Sequence, residues 1–285
     1  MAQQSRPMHF LITGAARGIG RGLTRHLLSQ GHRVYLLDAN APELEHTLSR
    51  AAAWATTPNA FRGERVDLAD RARVRQAVAA AGIFFGGRLD CLVNNAFATP
   101  HVWRDGGKAE DGINGQNAED AIMAQWDEKI AVGLTAPFLL SRLCVPLLVG
   151  ARGGSGSPGS IVNVSSTRAL QAEPDHEAYS AAKAGLLGLT RSLAVSLGER
   201  HRIRVNAIIP GWICVDDENR AADEQGAKWE EGMSEADHRW HPAGRVGKVD
   251  DVLKALQFLV ESEFVTGEEI VLDGGVGRKM VYPEE

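Results

Sequence analysis

The stretch TGAARGIG, Thr13 to Gly20, lies between an apolar run, MHFLIT (8–13), and an amphipathic stretch that begins at Ile19. A short apolar run reads as a buried strand, and the 3.6-residue spacing after it reads as a helix over 19–30. The glycines at this junction have separate tasks. Gly14 permits the tight turn, while Gly18 and Gly20 let backbone approach closely and let the helix pack onto the strand. A helix opened in this way offers free N–H groups and the positive end of its dipole, which suits a pyrophosphate. Gly14, Arg17, Gly18, Ile19 and Gly20 are therefore the first candidate cofactor-binding residues. A glycine-rich string alone is weak evidence; its place between strand and helix is what strengthens it.

Working outward, RVYLLD (33–38) is a second strand, and it ends on Asp38, eighteen residues after Gly20. A carboxylate there accepts hydrogen bonds from adenosine ribose hydroxyls and repels a 2′-phosphate. Ala39 and Asn40 supply no cation to offset it, so NAD(H) is favoured over NADP(H). Arg17 is the contrary signal. Further strands are expected at 61–67, 89–96, 160–166, 202–210 and 268–274, with helices at 42–55, 70–81, 118–149, 177–198 and 249–261. Several strands are apolar almost throughout, as in a sheet covered on both faces. Right-handed crossovers then give an α/β fold with a doubly wound, mostly parallel, seven-stranded sheet.

The 285 residues are expected to form one domain, since no linker divides them. ARGGSGSPGS (151–160) reads as a surface turn. Two segments have no place in the sheet: an insertion at 97–118 and a substrate lid at 212–247, both following carboxyl ends of strands. The net charge of -5 gives no reason to expect nucleic acid as a partner. The opening MAQQSRPMHFLITG lacks the form of a signal peptide, and no apolar run is long enough to span a membrane. Cys91, Cys144 and Cys214 lie far apart and read as reduced, buried thiols, so a cytoplasmic location is expected. No His/Cys/Asp cluster has metal-ligand spacing; His238 and His241 read as loop histidines.

Tyr179 and Lys183 are four apart in EAYSAAKAGLLGLTRSLA, which puts both side chains on one helix face. A phenol is a poor base at neutral pH, but a neighbouring ammonium favours the phenolate. Tyr179 is thus placed to act as general acid or base. Ser166 ends the fifth strand, thirteen residues earlier, and its hydroxyl is suited to a substrate oxygen that develops charge.

TGAARGIG, NNA (94–96), Ser166, YSAAK (179–183), VDL (66–68), PG (210–211), GRVG (244–247) and VTGEEIVLDGG (265–275) together resemble the short-chain dehydrogenase/reductase family, nearly end to end and in order. The resemblance implies a Rossmann-type fold with helices on both faces of the sheet. It implies that Asp67 and Leu68 border the adenine, that Asn94 and Ala96 lie along the cofactor, and that Lys183 also binds the nicotinamide ribose. Pro210 and Gly211 are expected to bind the cofactor, and the backbone near Ile213 to meet the carboxamide. It further suggests a homotetramer or dimer built through the helices at 118–149 and 177–198. DHRWHPAGRVG and the insertion are similar to a fungal-type group of members without a uniform substrate.

Three positions depart from that pattern. Gly133, in AVGLTAPF, stands where the family carries an Asn that steadies a water behind the active-site lysine; a water is expected to fill the vacated volume. Val215 stands where a Thr is usual, and Phe97, in NNAF, where a Gly is usual; Phe97 is expected either to close over the cofactor or to pack beneath the insertion, with packing favoured. Trp103, Trp212, Trp229 and Trp240 fall in or beside the two irregular segments, either facing an aromatic or sugar-like substrate or anchoring loops. The acid-rich run Asp216 to Glu235 reads as the solvated face of a lid helix. The expected activity is interconversion of a secondary alcohol and a ketone on a small molecule. Non-redox acid/base chemistry on the same fold, or cofactor binding with little turnover, are the alternatives.

Overall fold

Each apolar run becomes a strand because only a two-sided sheet buries residues that do not alternate. The computed structural model describes residues 6–104, 116–150 and 158–280. Seven strands form one sheet: β1 (His9–Thr13), β2 (Arg33–Asp38), β3 (Phe61–Arg65), β4 (Cys91–Asn94), β5 (Ser160–Val164), β6 (Arg204–Pro210) and β7 (Glu269–Leu272). Their order is β3-β2-β1-β4-β5-β6-β7, and every pairing is parallel. The chain reverses direction across the sheet between β1 and β4, the place where doubly wound folds open a crevice.

Helices α1 (Gly18–Ser29), α2 (Ala41–Trp54) and α10 (Val249–Glu261) cover one face, burying Leu23, Leu27, Leu44, Val252 and Leu256. The other face is covered by α3 (Arg71–Phe84), α5 (Ala136–Leu143) and α7 (Glu177–His201), which bury Val74, Leu140, Leu193 and Leu197. Side-chain caps fix two starts: Asn40 accepts from the Glu43 N–H (3.2 Å), and Asp70 from those of Ala72 (2.9 Å) and Arg73 (3.1 Å).

The single helix expected over 118–149 is interrupted. It comprises α4 (Gln116–Ile130), a π-helical stretch (Ala131–Thr135), α5, and a separate α6 (Val145–Gly150) after Cys144. Pro137 has no N–H for the carbonyl four residues back, that of Gly133, so the regular ladder cannot continue through this turn. Between β6 and α10 the segment contains two short helices, α8 (Arg220–Gln225) and α9 (Glu235–Trp240), rather than one solvated helix. His238 therefore sits in α9. Residues 105–115 of the insertion and 151–157 of the serine- and glycine-rich turn lie outside the described residues.

Candidate active site

Parallel strands deliver their carboxyl ends to one edge of the sheet, and a cleft of about 1040 Å³ opens there. Gly14 (φ +63°) and Gly18 (φ +60°) shape its floor, in a conformation that L side chains rarely adopt. A Cβ on Gly14 would stand 2.9 Å from the Ala96 Cα, and one on Gly20 would overlap the Gly14 carbonyl, so the loop admits only glycine at both. Asn95 ties the loop to β4, its amide donating to the carbonyls of Thr13 (3.1 Å) and Gly14 (3.2 Å). Gly14, Arg17, Gly18, Ile19 and Ala96 line the cleft; Gly20 lies behind it, packing α1 onto the loop.

At one end of the cleft are Asp38, Asp67 and Leu68. The Asp38 carboxylate accepts from the N–H groups of Ala16 (2.9 Å) and Asn40 (2.9 Å), which fixes it at the end of β2. The Arg17 guanidinium is turned toward Thr99, donating to its Oγ1 at 2.7 Å. A second cation arrives from a neighbouring strand: Arg65, paired in register with Asp38, directs its Nε to the Ala39 carbonyl (3.3 Å). Reading the residues that follow Asp38 in sequence misses Arg65, because it comes from β3.

Pro210, Gly211 and Ile213 line the other end. Ile213 forms an isolated parallel bridge with Gly247, so the GRVG string braces the backbone after β6. Val215 lines the same wall, within ordinary contact distance of a Cβ placed on Gly18.

Ser166, Tyr179 and Lys183 meet in the middle of the cleft. Ser166 follows β5; its Oγ accepts the Arg168 N–H (3.1 Å), which leaves its own proton free for another acceptor. Burial pushes the Tyr179 phenol above its usual pKa, while the Ser166 hydroxyl and Arg168 pull the other way. Lys183 is 3% exposed, its ammonium donates to the Val164 carbonyl (2.8 Å), and burial lowers its pKa to about 8. His101 stacks on the Tyr179 ring (centroids 4.4 Å apart); partial burial, then Lys183 and other cations, lowers it to about 4, so it is neutral at pH 7. No sequence signal marked His101.

Several sequence expectations are corrected by the geometry. Asn94 does not line the cleft: its amide is buried and donates to Asn163 Oδ1 (2.8 Å), because alternate residues of a strand face opposite ways. Phe97 meets the insertion at His101, their ring centroids 5.7 Å apart, and it also lines the cleft. Its ring lies 4.7 Å from that of Tyr179 and occupies the hollow beside Gly133, where a water was expected; a Cβ on Gly133 would overlap that ring. Glu218 is not solvated. It is 2% exposed, bonded to Arg21 (2.8 Å) and to Arg25. None of the four tryptophans of the irregular segments lines the cleft. Trp103 donates to Glu177 (2.8 Å) and Trp229 to the Gly247 carbonyl (3.3 Å), both as loop anchors; Trp212 and Trp240 are half exposed. Among the described residues no cluster of His, Cys, Asp or Glu is arranged to hold a metal.

The family model described as enoyl-(acyl carrier protein) reductase matches residues 14–277. An uncharacterized oxidoreductase of Thermotoga maritima is 34% identical over 280 residues, covering 96% of this chain and 97% of the relative. D-threitol dehydrogenase of Mycolicibacterium smegmatis is 32% identical over 267 residues, covering 93% and 91%. An apo SCOR enzyme from Clostridium thermocellum superposes with a TM-score of 0.73 at 32% identity, covering 96% of this chain and 95% of that one. The chain belongs to the short-chain dehydrogenase/reductase family, whose members are oxidoreductases that bind NAD(P)(H) and act on small molecules.

Proposed function

We propose that this chain is an NAD(H)-dependent enzyme that interconverts a secondary alcohol and a ketone, with Tyr179 as its general acid and base. The observation that carries the reading is the convergence of Ser166, Tyr179 and Lys183 at the middle of a cleft that begins at a glycine loop. The cradle fits a dinucleotide: glycines where any Cβ would collide, helix N–H groups at the start of α1, and a carboxylate at the ribose end. Gly14, Arg17, Gly18, Ile19, Asp38, Asp67, Leu68, Ala96, Pro210, Gly211 and Ile213 would hold it, and when bound its nicotinamide ring supplies or accepts the hydride. Asp38 supports NAD(H) over NADP(H).

The protein's own part is to move a proton and hold an oxygen. In reduction the Tyr179 hydroxyl gives its proton to the substrate oxygen as negative charge grows there, and Ser166 donates a second hydrogen bond to the same atom. The Lys183 ammonium favours the phenolate left behind. In oxidation that phenolate takes the hydroxyl proton. Because Lys183 is lowered to about 8, the ammonium that favours the phenolate is lost above that pH, while Tyr179, raised by burial, keeps its proton. Gly133 and Val215, two of the departures from the family pattern, both have packing partners here, Phe97 and the glycine loop.

The segment 212–247 is read as a substrate lid, the chain as one domain, and the two long helices as the surfaces of a dimer or tetramer. Three free, buried cysteines support a cytoplasmic location. Among the described residues no helix is long and apolar enough to cross a membrane.

The test is turnover of NADH against a panel of ketones, with wild type and Tyr179→Phe side by side. The variant is expected to lose about a thousandfold in kcat, and wild-type reduction to fall above pH 8 as the Lys183 ammonium is lost. Equal rates in both proteins would overturn the role of Tyr179.

A further inference from the structure

Phe97 and Gly133 occupy each other's space. A methyl group on Gly133 would run into the Phe97 ring, approaching Cδ2 to 2.8 Å, and would meet the Ala182 Cβ at 3.1 Å. The ring so seated lies edge-to-face on Tyr179 (4.7 Å between centroids) and 5.3 Å from the Lys183 ammonium. Gly133 sits in the π-helical turn, so backbone irregularity and missing side chain coincide where the ring enters. Among the described residues Lys183 makes one side-chain hydrogen bond, to the Val164 carbonyl. An apolar ring therefore covers the side of the Tyr179/Lys183 pair that faces α4 and α5.

We propose that Phe97 is a positioning residue for the Tyr179/Lys183 pair: seated in the hollow of Gly133, its ring keeps water from the helix-facing side of the pair and so sets how tightly the pair holds its protons. The inference rests on the acid/base reading of Tyr179. Other groups around the pair are His101 beyond β4 and His176 before α7, whose rings meet that of Tyr179, and Ser166 and Arg168 beyond β5; Lys129 on α4 and Arg17 in the glycine loop act on His101. None of these lies between the ring and Gly133 in the contacts described above.

The sign follows from desolvation. Water admitted beside Lys183 stabilises its ammonium, which then persists to higher pH and favours the Tyr179 phenolate. Tyrosinate absorbance reads this without any substrate. The chain has three tyrosines, and Tyr35 is pushed up to about 12, first by burial and then by the Glu64 carboxylate. Subtracting the Tyr179→Phe titration isolates Tyr179. Phe97→Ala is expected to ionise at Tyr179 about one pH unit below wild type, and Gly133→Ala, which displaces the ring, to shift the same way. Phe97→Leu keeps the hollow apolar and is expected to titrate as wild type. Should Phe97→Ala fail to fold, Phe97→Val opens a smaller gap with the same expected direction. A wild-type titration in both Phe97→Ala and Gly133→Ala overturns the proposal. So does an equal shift in Phe97→Leu and Phe97→Ala, which would assign the effect to lost ring contact rather than to water. If Tyr179→Phe reduces ketones as fast as wild type, the acid/base reading fails, and the titrations still decide what Phe97 does.

Discussion

Asp38 and Arg65 are paired in register at the ends of β2 and β3; Asp38 lines the cleft and the Arg65 guanidinium reaches the Ala39 carbonyl beside it. On the proposed NAD(H) reading, Asp38 would serve a 2′-hydroxyl, and a 2′-phosphate would meet repulsion from Asp38 and attraction from Arg65. Arg65→Gln is expected to leave NADH affinity within about twofold and to weaken NADPH roughly tenfold, as loss of a charge-assisted contact does. Asp38→Asn is expected to narrow the gap between the two cofactors. Fluorescence titration of both cofactors checks each, and tighter NADPH binding by wild type would overturn the preference for NAD(H). Ser166, Tyr179 and Lys183 were legible in the sequence because their relation is local: a helix turn and a strand end. Phe97 and Gly133 were not. They are 36 residues apart, and each reads alone as a defect, though the Phe97 ring fills the space that Gly133 leaves open.

Element by element, the segment after β6 is fastened to the glycine-loop helix more firmly than its acidic composition suggests. Arg21, 2% exposed on α1, bonds Glu218 (2.8 Å) and Asp223 (2.6 Å), and Arg25 bonds Glu218 as well. His46 on α2 joins through Asp223 (2.7 Å). Removing one partner strands a buried charge, so Glu218→Gln is expected to cost about 3 kcal/mol and to lower Tm by several degrees. Glu224→Gln, an exposed change on α8, is expected to stay within about 0.5 kcal/mol. Thermal unfolding of the two variants gives the comparison; equal Tm values would reject the clamp. Charge runs carry no sign of burial in sequence, because the partners of Glu218 lie 193 and 197 positions away. The long helix was legible as periodic, but its π-helical turn was not, since that depends on Pro137 following Gly133 at a spacing of four.

Across the whole molecule, the covered faces of the sheet leave α5 and α7 with exposed apolar side chains, Phe138 at 49% and Val195 at 60%. Exposed apolar groups on two neighbouring helices fit a surface that a second copy covers. Wild type is expected to sediment as a dimer or tetramer, and Phe138→Glu with Val195→Glu as a monomer. A monomeric wild type at micromolar concentration would reject the assembly. Six of the strands were legible as largely apolar runs, while β3, FRGER, carries one apolar residue and was legible from its place between two helices; the parallel arrangement followed from the helices between the strands. The sheet's carboxyl edge also imposes an order of completion. The glycine loop leaves the ribosome within the first few dozen residues, yet the Gly18 N–H finds its acceptor, the Glu218 carbonyl (2.7 Å), only when two hundred more have been made. A nascent chain halted after β6 therefore lacks this acceptor, and its glycine loop is held only by contacts within the first half of the sheet.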